Sequence, residues 1–195
     1  IGLAMMMYVQ DFDDYLTPAD SMEAGVGNWR FWFGKLNSYL GKSAGPNVEN
    51  KAWRCPSNRY HAWDWSRISY GANENLMYAT NPLFNQSIKN AAKMSKIRRP
   101  AGTIMIAESN GDGYYDFLVQ GIGPSYTRNY PVGDRHNNGA NLIFCDGHVE
   151  WRPRNSDLYW ITTGGWYWGI PAPEDNRRLW GANWNGCNPP YYMQK

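Results

Sequence analysis

The 195-residue sequence has no apolar run approaching the ~20 residues that a helix needs to cross a bilayer, so no stretch of it reads as a membrane span. Charge of one sign is not in excess either, since 19 Lys+Arg against 17 Asp+Glu leave a formal net charge of +2. The adjacent basic pairs Arg98-Arg99 and Arg177-Arg178 stand alone and form no stripe, which argues against a nucleic-acid partner. Cysteine is scarce: Cys55, Cys145 and Cys187 show no CxxC spacing and no nearby His in a ligand pattern, so a structural zinc site is not expected. In an exported chain, one disulfide plus one free thiol is expected, with Cys55–Cys145 and Cys55–Cys187 both open.

Aromatic and loop-forming residues are plentiful, with 11 Trp, 14 Tyr, 20 Gly and 12 Pro. That balance favours one loop-rich domain over a helical bundle. Each ring pairs an apolar face with a polar edge, so the rings can fill a core, contact a partner or stack on sugars.

Residues 1 to 15 place Ile1, Met5, Tyr8, Val9 and Phe12 at helical spacing, and no capping residue precedes Ile1, so the sequence reads as starting inside a longer helix. Asp11, Asp13 and Asp14 mark its exit, where carboxylates oppose the helix dipole. A second helix is expected from an Asn28 cap through Leu40, carrying Trp29, Phe33, Leu36 and Leu40 on one face and stopped by Gly41. Residues 68 to 72 suit a short strand within a long ordered loop, and Thr103–Ala107 reads as a buried strand bounded by turn residues. Asp146-Gly147 between two alternating runs predicts a two-residue type I′ hairpin. Its register would oppose Cys145 to His148, Phe144 to Val149 and Leu142 to Trp151. Leu142, Phe144, Val149 and Trp151 would then share the core face, leaving Cys145, His148 and Glu150 at the surface or under a loop. From about 155 to 195 the chain is rich in aromatics, Gly and Pro without period, and reads as an appendage wrapped over the domain.

His136 and Asp146 suit a metal site or an acid/base pair by residue type. The structural reading is preferred, because Asp146 is what an Asp-Gly turn wants and His136 braces the loop leading into the hairpin. No nucleophile or second carboxylate stands at a diagnostic spacing, so no enzyme is expected. Asn110, Asp112 and Asp116 are candidate calcium ligands, as is the Asp11-Asp13-Asp14 group, but neither has the full calcium-loop pattern and turn chemistry explains both. No other cofactor is implied. Trp160, Trp166, Trp168 and Trp184 are candidate contacts for a glycan or a partner subunit.

His136, nine intervening residues, then Asp146-Gly147 resembles the signature of the prepilin-type H-x9-DG family. Ile1-Gly2-Leu3-Ala4-Met5-Met6-Met7-Tyr8 with Asp11 and Asp14-Tyr15-Leu16 is similar to the end of that family's long pilin helix. Arg54-Cys55-Pro56-Ser57, Ser69-Tyr70-Gly71-Ala72-Asn73 and Arg99-Pro100-Ala101-Gly102-Thr103 resemble its internal landmarks in the same order, so the likeness spans roughly residues 1 to 152. It implies a pseudopilin-like protein, akin to the major (G-type) pseudopilins of the general secretion pathway in type II secretion. The implied fold is α+β and pilin-like, the remnant of a long N-terminal helix on a small antiparallel sheet, while the length of the chain suits a single domain over 1–195. An apolar helix upstream of Ile1 would anchor the subunit in the inner membrane, its head in the periplasm or in an extracellular filament. Its partners would be other pseudopilin subunits and the secretion machinery. His136, Asp146 and Gly147 carry the family motif, and no calcium ligands of the pseudopilins can be matched here. The alternative is an exported, pilin-anchored protein that binds polysaccharide through its C-terminal aromatics.

Overall fold

The first residues form the helix α1, Gly2–Asp11, because its apolar positions fall on one stripe: Ala4, Met5, Tyr8 and Val9 are buried. It ends earlier than the 15 residues expected. Asp13 and Asp14 take left-handed backbone angles (φ 49° and 69°), a conformation that Asp tolerates better than most residues, and this turns the chain out of the helix. The computed structural model describes residues 1–21, 31–42, 50–58, 68–77, 91–109, 118–119 and 132–153.

The expected second helix is much shorter. α2 spans only Trp32–Lys35, followed by a 3-10 turn at Ser38–Leu40, while the proposed cap Asn28 and Trp29 lie outside the described residues. Trp32, Phe33 and Leu36 are all buried, so this element is core all round rather than amphipathic. The stop at Gly41 holds: its φ is 71°, and bonds from Lys42 N–H to the Asn37 carbonyl and from Gly41 N–H to Ser38 close a Schellman motif.

Five strands and α3 build the sheet side of the fold: β1 (Tyr70–Asn73), α3 (Glu74–Met77), β2 (Ile104–Glu108), β3 (Leu118–Val119), β4 (Gly139–Phe144) and β5 (Val149–Pro153). The strand order is β3-β1-β2-β4-β5, and the fold class is α+β. The sheet is mixed rather than purely antiparallel, because β3 pairs parallel to β1. A long crossover through β2 separates those two strands in the chain, as a parallel pair requires. Gly71 permits their close approach: a Cβ there would fall 2.5 Å from the Leu118 backbone.

β2 is buried at all five positions, as the apolar run predicted. Its register against β4 shifts between Ile104 and Ile106, so Met105 is an extra residue, and both Met105 and Ile106 enter the core cluster with Met5, Tyr8, Ile143 and Cys145. Ile104, Ala107, Leu142 and Phe144 are buried outside that cluster, so the sheet is covered on both faces.

The hairpin exists, but its register differs by one residue from the expectation. Ile143 pairs with Val149, Leu142 with Glu150 and Asn141 with Trp151. The loop has three residues, closed by Gly147 N–H to the Phe144 carbonyl and by Phe144 N–H to the His148 carbonyl. Only Gly147 has a positive φ (90°), so Cys145-Asp146 form an ordinary turn and Gly147 absorbs the left-handed step that follows. The slip moves Val149 and Trp151 from the face of Leu142 and Phe144 to that of Ile143 and Asn141, where the edge strand leaves them uncovered. Val149 and Trp151, expected in the core, are 62% and 44% exposed on the edge strand, whereas Cys145, expected at the surface or under a loop, is buried in the core cluster. The type I′ turn occurs instead at the other end of β4: Asn137 and Asn138 have φ 51° and 54° between reciprocal backbone bonds of His136 and Gly139.

Candidate functional site

The new register sets one row of side chains across four strands. Tyr70 of β1 lies opposite Glu108 of β2, Asn141 of β4 hydrogen-bonds Glu108, and Trp151 of β5 lies opposite Asn141. The row occupies the end of the sheet where β1 begins, β2 ends and β4 begins.

Two loops bring further groups onto it. Cys55 follows the 3-10 turn Lys51–Trp53, and Ser69 clamps this loop to the start of β1. The Ser69 hydroxyl accepts from Cys55 N–H at 2.9 Å and from the Asn58 amide at 3.1 Å, and Ser69 N–H donates to the Trp53 carbonyl at 2.8 Å. His136 opens the Asn137-Asn138 turn, and its carbonyl accepts from the Trp151 indole at 2.9 Å and from Gly139 N–H at 3.0 Å. Glycine is required at 139, since a Cβ would fall 2.4 Å from the Arg152 carbonyl and 2.6 Å from the Trp151 ring.

Cys55, Glu108 and His136 thereby converge, with one ligand atom of each within 4.8 Å of the others. His136 Nε2 is 2.8 Å from Glu108 Oε1 and 3.2 Å from Cys55 Sγ. The Glu108 side chain is 1% exposed and is held by Asn141, whose backbone N–H donates to Oε2 at 3.1 Å and whose amide donates to Oε1 at 3.3 Å. The His136 side chain is 30% exposed, so solvent reaches the group from that side. Arg135 stands beside it, but its guanidinium donates to the carbonyls of Ser69 and Ser109, and among the described residues it forms no ion pair with Glu108. Burial, and then the charges of Cys55 and Glu108, push the Tyr70 phenol above its ordinary value, with Arg135 opposing them.

This arrangement is not a nucleophile relay. A thiol–imidazole–carboxylate relay places the thiol on one ring nitrogen and the carboxylate on the other. Here both partners address Nε2. Three ligand atoms within 4.8 Å of one another suit the holding of a cation.

Local spacing does not mark this cluster, because Cys55 and His136 are 81 positions apart. The signal that could have found it is the recurrence of Cys, Glu and His beside turn or strand-end residues.

The other expected site residues separate. His136 and Asp146 flank opposite ends of β4, whose six residues span about 20 Å, so they form no acid/base pair. Asp146 instead holds His148, with Nδ1 at 2.6 Å from Oδ1 and the backbone N–H at 3.2 Å. Gly147 lies under α1, near Met6. Cys55 and Cys145 are buried free thiols and do not pair with each other, while Cys187 lies outside the described residues; burial, and then the Asp146 charge, push the Cys145 thiol well up. Asp11 accepts from the Tyr39 hydroxyl at 2.8 Å, and Asp14 accepts from Ser95 N–H at 2.9 Å. Asn110, Asp112, Asp116, Trp160, Trp166, Trp168, Trp184 and the 155–195 appendage lie outside the described residues. Among the described residues no helix is long and apolar enough to cross a membrane. No protein-family model matches the chain, and no curated protein or solved structure matches it.

Proposed function

We propose that the chain is a non-enzymatic, pseudopilin-like structural subunit of a type II secretion or type IV pilus-like envelope system. On this reading an apolar segment upstream of Ile1 anchors it in the inner membrane, the head projects outside the cytoplasm, and copies of the chain assemble laterally. One observation carries the reading beyond the sequence resemblance. α1 buries Met5, Tyr8 and Val9 against its own fold, yet Leu3 and Met7, one turn apart on its other side, are 75% and 42% exposed. A helix that is apolar on a second side has surface to give to a neighbour. Helix-to-helix packing of copies, with the heads supplying lateral contacts, uses that surface.

The test is photo-crosslinking in cells that make the full-length protein, with the probe amino acid at Leu3 or at Met7. The expected result is adducts between copies of this chain, lost when Leu3→Asp and Met7→Asp are combined. Probes that yield no adduct between copies, in cells where the protein is made and folded, overturn the reading.

A further inference from the structure

We propose that Cys55 Sγ, Glu108 Oε1 and His136 Nε2 form a three-ligand site for a Zn2+ ion, with water in the fourth position.

Nε2 carries either one proton or one lone pair. Protonated, it donates to Glu108 Oε1 at 2.8 Å and leaves Cys55 Sγ, 3.2 Å away, at best a shared acceptor of the same proton. Unprotonated, it accepts from the thiol but faces a carboxylate oxygen lone pair to lone pair. Neither state of the ring lets Nε2 make a full hydrogen bond to both neighbours, whereas a cation held among the three atoms takes a lone pair from each.

Size agrees. Zn–S near 2.3 Å and Zn–N or Zn–O near 2.0–2.1 Å place tetrahedral neighbours about 3.3–3.6 Å apart. The N···S and N···O separations of 3.2 and 2.8 Å are a few tenths of an ångström shorter, and the Cys55 and Glu108 ligand atoms lie within 4.8 Å of each other.

Charge agrees as well. A thiolate, a carboxylate and a neutral imidazole balance a divalent ion, and Arg135 is held on the Ser69 and Ser109 carbonyls rather than on Glu108. A thiolate selects zinc over calcium or magnesium, which prefer all-oxygen shells. The surrounding contacts orient the ligands as outer partners of a metal site do: Asn141 fixes the carboxylate, Ser69 fixes the Cys55 loop, and the Trp151 indole fixes the turn that carries His136. The ion would join the Cys55 loop, the end of β2 and the start of β4.

The experiment strips the purified chain with a chelator and titrates it with Zn2+, and separately with Co2+ as an optical probe. One Zn2+ per chain is expected, with a rise in Tm, and Co2+ should show thiolate-to-cobalt charge-transfer absorption in the near ultraviolet. Cys55→Ser should abolish that absorption, while Cys145→Ser and Cys187→Ser keep it. Glu108→Gln and His136→Ala should each weaken Zn2+ binding by at least tenfold. Should Cys55→Ser fail to fold, alkylation of the wild-type chain decides: Zn2+ should protect Cys55 and leave Cys145 no better protected than before. Absence of the charge-transfer absorption in folded wild-type protein, its survival in folded Cys55→Ser, or alkylation of Cys55 at an unchanged rate overturns the proposal.

Discussion

Two histidines flank β4, and each meets a carboxylate at hydrogen-bond distance: His136 with Glu108 at 2.8 Å and His148 with Asp146 at 2.6 Å. The shorter contact belongs to the less consequential pair. Asp146 is two residues from His148, and its side chain is 35% exposed, so the pair forms from the turn itself and stays in water. Glu108 is 1% exposed and gathers Asn141, His136 and Cys55 from distant parts of the chain. The difference teaches that separation alone does not make a site; convergence of groups in a dry place does.

The largest expected effect sharpens that contrast. In metal-free buffer, Glu108→Ala removes the acceptor of the Asn141 backbone N–H and the partner of His136, which should cost about 3–5 kcal/mol in urea unfolding. Asp146→Ala should cost less than about 1 kcal/mol, as exposed pairs do. Equal costs for the two substitutions would break the comparison.

The two glycines at the ends of β4 differ in the same sense. Gly139→Ala drives a Cβ into the Arg152 carbonyl and the Trp151 ring, both fixed in the sheet, and should cost about 1–3 kcal/mol while weakening Zn2+ binding through the displaced His136 turn. Gly147→Ala meets only Met6 Cγ at 3.5 Å, and its expected cost of about 1 kcal/mol comes from the left-handed φ of 90°. Thermal unfolding and a Zn2+ titration of both variants test this, since Gly147→Ala should leave the metal affinity unchanged.

How much of this could be read beforehand depends on whether the cause was local. The strand over Thr103–Ala107 was visible because a β-branched apolar run between turn residues has few alternatives, and it appears one residue along, at Ile104–Glu108. Gly41 as a stop was visible because a left-handed cap favours glycine. The Asp146-Gly147 turn was visible as a turn, but not its length: two- and three-residue loops both use Asp-Gly, and the choice set the register and with it the faces of Cys145, Val149 and Trp151. The Cys55–Glu108–His136 convergence was invisible for the same reason, because it depends on which residue of β2 lies beside which residue of β4 after the extra residue at Met105. Local chemistry announced the turns and tertiary register decided the site.

The smallest effect lies at the exposed pair and is a matter of pH. Partial burial works against ionisation of Asp146, but the hydrogen bonds from the His148 ring and backbone N–H, together with the His148 charge, outweigh it and hold the carboxyl below its ordinary 3.8. The folded value is the lower one, so on acidification the unfolded chain takes up this proton first. The contribution of Asp146 is therefore full above pH 3.8 and is lost as the pH falls through the folded value. Solvent screening limits it to less than about 1 kcal/mol. Urea unfolding of wild type and Asp146→Asn should show a small gap at about pH 6 that narrows as the pH falls below 3.8. A gap unchanged across that range would mean that Asp146 acts through the turn backbone alone, and that the two histidine pairs differ in kind and not only in burial.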